Sequence, residues 1–123
     1  MEHLRRTKMR AITSYISRVG FIHNYEVFID NYKDYYKHLE CEMFDVVRVN
    51  WNGHDISIFV DDEALLKPRN YGRRVEGYPE ALFGNMVICG GVDDEGETLD
   101  LPEEFTLINV SDFISEVIYV TKG

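Results

Sequence analysis

The sequence is short of the features that most quickly name a function. It has only two cysteines, Cys41 and Cys89. One pair is no disulfide framework, and both stand beside apolar residues. We expect two reduced, half-buried thiols, with a bridge or a metal role as the alternative. Basic residues are scarce: 13 against 22 acidic, for a formal net charge of −9. That excludes a general nucleic-acid binder, which needs a basic footprint. It also excludes an anionic membrane surface as partner. No apolar run is long enough to span a membrane. The basic opening (Arg5, Arg6, Lys8, Arg10) is followed by no apolar stretch of secretory length. The expected location is therefore a cytoplasm. There is no Walker or Rossmann fingerprint. His3, His23, His38 and His54 lack ligand spacing to one another or to a cysteine, so no metal or cofactor is expected. No Ser–His–Asp or Cys–His arrangement is visible, and no catalytic residue is assigned.

What is present is an ordinary globular composition, 45% hydrophobic and 28% charged over 123 residues. That is one domain, 1–123, large enough for a core of its own. Its charge is polarised. Residues 1–20 carry +4, residues 21–60 −4, residues 61–80 −1 and residues 81–123 −8.

Residues 9–19 admit two readings. Leu4, Ile12, Tyr15, Ile16 and Val19 have helical spacing, yet Ile12, Thr13, Tyr15 and Ile16 favour a strand. From Phe21 to Ile29 apolar and polar residues alternate with the strand period. A helix should follow, capped by Asp30 or Asn31, with Tyr32, Tyr35, Tyr36 and Leu39 on one face. The sharpest local signal is Trp51-Asn52-Gly53-His54. Asn-Gly between alternating runs specifies a type I′ hairpin, because both turn residues need positive φ. Its register sets Trp51 against His54, Val49 against Ile56 and Val47 against Ile58, on a core-facing side. Pro68, Asn70, Gly72, Gly77 and Pro79 read as a surface loop or flap over 67–80. The apolar run 85–89 reads as a central strand buried on both faces. In the tail, Leu101-Pro102-Glu103-Glu104 can open a short helix. Phe105–Val110 can be a strand, and Ser111 can cap a helix carrying Phe113, Ile114, Val117 and Ile118. There is no internal repeat. The expected fold is α+β: a mainly antiparallel sheet with one or two helices packed on one face.

Several segments in order carry a resemblance. They are Ile56–Val60 running into Asp61-Asp62-Glu63-Ala64-Leu65-Leu66, then Asn70, then Leu82–Gly91, then Asp93-Asp94-Glu95-Gly96-Glu97-Thr98-Leu99. Over about residues 9–101 the chain resembles a small domain-of-unknown-function family carried by phages, plasmids and conjugative elements. Ala64 departs from that pattern, where members usually have glycine, and 102–123 have no counterpart in it. The resemblance brings no activity. It implies a mobile-element accessory protein in a bacterial cytoplasm, and it favours a strand for Met9–Ile16.

Three groups of residues are candidate sites. Asp61, Asp62 and Glu63 end a strand, without the alternate spacing of a calcium loop. They are a solvated turn or part of an acidic surface. Asp93, Asp94, Glu95 and Glu97, with Glu103 and Glu104 beyond, are either solvated turns or a partner-binding face that mimics phosphate spacing. Lys67, Arg69, Asn70, Tyr71, Arg73 and Arg74 could hold a phosphate-bearing nucleotide signal, since arginine forks suit phosphate and tyrosines stack on bases. Otherwise they are a mobile loop with solvated charges.

The leading expectation is a binding protein, not an enzyme. Acidic loops 61–63 and 93–104 would occupy the nucleic-acid groove of a host defence protein, such as one that holds DNA or guide RNA. The chain would then be a counter-defence inhibitor that touches no nucleic acid itself. The alternative is a sponge for a nucleotide signal, closed by the 67–80 loop. A homo-dimer through an edge strand and the tyrosine face is a further possibility.

Overall fold

The computed structural model describes residues 8–64 and 69–121. Leu65, Leu66, Lys67 and Pro68 lie outside them, as do the first seven residues. Eight strands and two short helices follow one another along the chain. They are β1 (Met9–Ile16), β2 (Ile22–Ile29), α1 (Lys33–Leu39), β3 (Phe44–Trp51), β4 (His54–Asp61), β5 (Arg69–Val75), β6 (Leu82–Phe83), β7 (Met86–Gly90), α2 (Leu107–Phe113) and β8 (Ile114–Thr121).

Five strands make an antiparallel sheet in the order β2-β1-β7-β4-β3. The hairpin forms as its turn chemistry demands. Asn52 has φ 48° and Gly53 φ 85°, and the pairs Trp51–His54, Val49–Ile56 and Val47–Ile58 are all present. Met9–Ile16 is a strand throughout. In β7 every residue is buried, because its two faces meet two different cores. Met86 and Ile88 face one; Val87 and Cys89 face the other.

A sheet with two apolar faces needs two covers. One is α1, which packs Tyr35 and Leu39 on Phe59, Val87 and Cys89. The other is a second antiparallel sheet, β6-β5-β8, with α2. It brings Val75, Leu82, Phe105, Val110, Phe113 and Ile114 onto Ile12, Ile56, Ile58 and Ile88. The α+β class holds, with the helices on opposite faces of the main sheet rather than on one.

Three local expectations are corrected. The expected flap holds β5 from residue 69 to 75. Gly72 serves close packing, not a turn: a Cβ there would lie 2.6 Å from the Phe83 ring. The tail helix begins earlier, at Leu107, where the Asn109 side chain accepts from the Thr106 N–H (2.7 Å). Residues 114–121 are then a strand, as their β-branched content favours. Leu101–Glu104 form a turn, not a helix. Finally, α1 starts after Tyr32, which is 62% exposed and off the core face. The N-cap is Tyr32, with no side-chain cap bond, rather than Asp30 or Asn31; the Asn31 Oδ1 one residue earlier accepts from Lys33 N–H (2.9 Å).

Candidate functional site

Register fixes where the charged turns sit. β7 runs antiparallel to both β1 and β4. The end of β7 therefore lies beside the start of β1, the end of β2 and the Asn52-Gly53 turn. Its beginning lies beside the end of β4. Asp93, Asp94, Glu95 and Glu97 follow β7 and occupy the first of these ends. Asp61, Asp62 and Glu63 follow β4 and occupy the opposite one. The two acidic loops, grouped together by sequence, are not one surface.

The 93–97 end gathers other acids instead. Asp30 lies after β2, beside the start of β1. Asp55 meets the backbone at Gly91, where a Cβ would fall 2.8 Å from its own. Asp100 packs on Gly90. Glu103 and Glu104 join them because Arg10 fastens their turn to β1. Its guanidinium donates to Pro102 O (3.0 Å) and Phe105 O (2.7 Å), and its Nε to Glu26 (2.5 Å). Glu104 Oε2 also lies 3.2 Å from His54 Nε2. Lys8, Arg10, Lys33 and His54 stand at the same end, outnumbered by the carboxylates.

Within this group Asp93 has a structural task. Its Oδ1 accepts from the N–H groups of Glu95 (2.8 Å) and Glu97 (2.9 Å), and Gly96 completes the turn at φ 82°. Asp94, Glu95 and Glu97 are exposed.

Beside this turn lies an open cleft of about 670 Å³. Met9, Ile29 and Leu99 give it an apolar wall; Tyr32 and Tyr35 an aromatic one; Asp30, Glu97 and Asp100 an acidic rim that outnumbers Lys8, which also lines it. Such a cleft suits a cationic side chain, whose stem covers apolar surface while its head meets carboxylates or a ring face. Below it Tyr35 packs in the core with Val87 and Cys89 and stacks on Phe59, with ring centroids 4.0 Å apart.

Burial pushes the Cys89 thiol up to about 12 and raises the Tyr35 hydroxyl as well. An unfolded thiol ionises near 9.0. Below that pH both states hold the proton, and above it only the unfolded state releases it. Stability should thus fall as pH rises from about 9 towards 12, with Cys89 contributing a slope of up to about 1.4 kcal/mol per pH unit. Arg73 opposes this. Burial lowers its guanidinium to about 10, so above that pH the folded state sheds a proton the unfolded state keeps. Denaturant melts across this range check the sign. Cys89→Ala should flatten the decline, and an unchanged slope would refute the assignment.

The arginine group does not converge. Successive β5 residues point to opposite faces. Arg73 is 1% exposed, inside the molecule. Arg74 is exposed, and one of its Nη atoms donates to Pro79 O (3.2 Å). Tyr71 packs on Tyr119, with ring centroids 4.8 Å apart. The side chains of Arg69 and Asn70 lie outside those described. Sequence reasoning missed the burial of Arg73 and the contribution of Asp30, Asp55 and Asp100. Only the strand topology reveals either.

Cys41 and Cys89 form no disulfide. Among the described residues no three His, Cys, Asp or Glu side chains meet as a metal site. No helix among them is long and apolar enough to cross a membrane. No curated protein and no solved structure matches the chain. Residues 12–114, most of its length, do match a protein family, and the chain belongs to it: the domain of unknown function DUF3846.

Proposed function

We propose that the chain is a binding protein that docks a basic protein surface onto the acidic end of its main sheet. The observation that carries this reading is the cleft between α1 and the 96–100 segment, with its carboxylate rim and apolar wall. The partner supplies a lysine or arginine to the cleft and further basic residues to Asp94, Glu95, Glu103 and Glu104. The resemblance to proteins of mobile elements suggests the kind of partner. It is a host nucleic-acid-binding defence protein, whose groove the acidic end occupies in place of DNA or guide RNA. The chain then acts as a counter-defence inhibitor in a bacterial cytoplasm, by steric and electrostatic competition.

The test is competition for such a protein's nucleic acid. Asp94→Lys, Glu95→Lys and Glu97→Lys together should weaken binding at least about tenfold, since they set like charges against the partner. Asp93 is left in place because it holds the turn. Asp62→Lys with Glu63→Lys, at the opposite end, should leave affinity nearly unchanged. Full binding by the triple variant would overturn the proposal.

A further inference from the structure

At the end of β1 away from the 93–97 loop, Arg73 is buried without a counter-charge among the described residues. Its guanidinium donates to Ser14 Oγ (2.6 Å), Ser14 O (3.1 Å) and Gly84 O (3.0 Å), all neutral acceptors. Its Nε–H is buried with no hydrogen-bond partner among the described residues. Burial is what lowers its basicity, and the side chain remains a cation at neutral pH. A buried cation held only by neutral dipoles is costly, and folded chains normally set a carboxylate against it. Here, among the described residues, none pairs with it.

Arg73 also lines a cavity of about 380 Å³ between the β1–β2 edge and the α2–β8 corner. That volume lies within the range of small-molecule sites. Polar groups stand on its wall: Ser14, Asn24, Ser111 and Ser115. Ser14 and Asn24 are already organised, because Ser14 Oγ accepts from Arg73 and donates to Asn24 Oδ1 (2.5 Å). The remaining wall is apolar, from Ile22, Val110, Ile114 and Val117.

We propose that this cavity binds a small organic anion, its oxyanion head on Arg73 and its apolar body against Ile22, Val110, Ile114 and Val117. The guanidinium supplies charge and a planar fork, the geometry that carboxylate and phosphate oxygens share. The hydroxyls of Ser111 and Ser115 are at hand for further oxygens. The ligand supplies the negative charge that the fold leaves out. The site is separate from the acidic end, so either can fail alone.

Four probes test it on the intact protein: hexanoate, hexyl phosphate, inorganic phosphate and neutral hexanol. Thermal shift and calorimetric titration are the readouts. Hexanoate or hexyl phosphate should bind saturably and raise the melting temperature. Which of the two binds tighter identifies the head group. Inorganic phosphate and hexanol should bind at least tenfold more weakly, since each lacks half of the interaction. Arg73→Met keeps the apolar stem of the side chain, removes the guanidinium and should abolish anion binding. Val117→Phe acts independently of whether that variant folds. Val117 is 49% exposed, and phenylalanine suits a strand while filling the cavity, so affinity should drop at least tenfold with the fold intact. The proposal is overturned if neither organic anion binds, if hexanol or inorganic phosphate matches them, or if Val117→Phe binds as the parent does.

Discussion

Gly90→Ala should leave the domain less stable by about 3 kcal/mol or more, among the largest effects of any single methyl added to this chain. Gly90 ends β7 with ordinary strand geometry, so backbone freedom is not the reason. The reason is proximity. A Cβ at this position would stand 2.1 Å from Asp100 O and 3.0 Å from Leu99 O. Both are backbone atoms, and Gly90 N–H donates to Leu99 O at 3.0 Å. The 99–100 segment would have to move off the end of β7, taking with it the bond from Leu99 N–H to Gly91 O. Gly53 makes the contrast. Nothing lies within 4 Å of a Cβ there, but its φ of 85° belongs to the hairpin turn. Gly53→Ala should therefore cost only about 1 kcal/mol, the strain of a left-handed residue. Denaturant melts of the two variants separate steric from conformational roles. Equal stabilities would refute the tight seating of the acidic segment. On the binding reading proposed above that seating also shapes the site, because Asp100 and Glu97 rim the cleft from this segment.

The parts of the fold that were legible in the sequence are those encoded locally. Asn52-Gly53 specifies its turn by the φ values both residues need, and the register of β3 and β4 follows by counting. The run at 85–89 announces a strand with two apolar faces, and β7 has both faces in a core. What was hidden depends on partners distant in sequence. Phe113, Ile114, Val117 and Ile118 fit a helical spacing, but Ile114–Thr121 find β5 more than thirty residues upstream and pair with it. β5 was itself obscured by glycine and arginine, residues that usually mark loops. Gly72 is there for the Phe83 ring, and Arg73 for the interior. The candidate site divides the same way. The acidity of each turn is plain in the sequence. Which turns share an end is a property of antiparallel pairing, and that is why 61–63 and 93–97 part company while Asp30 and Asp55 join the latter.

Phe105→Ala should cost about 3–5 kcal/mol, the usual range for emptying an aromatic site in a closed core. Phe105 is fully buried and sets its ring edge-on to two neighbours, Trp51 at 4.8 Å and Phe113 at 5.1 Å between centroids. Trp51 belongs to the hairpin and Phe113 to α2, so one side chain joins the tail to the main sheet. The surrounding atoms cannot close the gap easily, because Arg10 already holds the Phe105 carbonyl and β1 is paired on both sides. Ile108 is the control. It lies on α2, only three residues on, but is 84% exposed. Ile108→Ala should change stability by no more than about 0.5 kcal/mol. If the tail were loosely appended, the two variants would melt alike. A large gap between them places residues 105–113 inside the cooperative unit. Glu103 and Glu104 then owe their position at the acidic end to Phe105 together with Arg10, and on the binding reading proposed above a variant that loosens Phe105 should lose affinity without losing any charge.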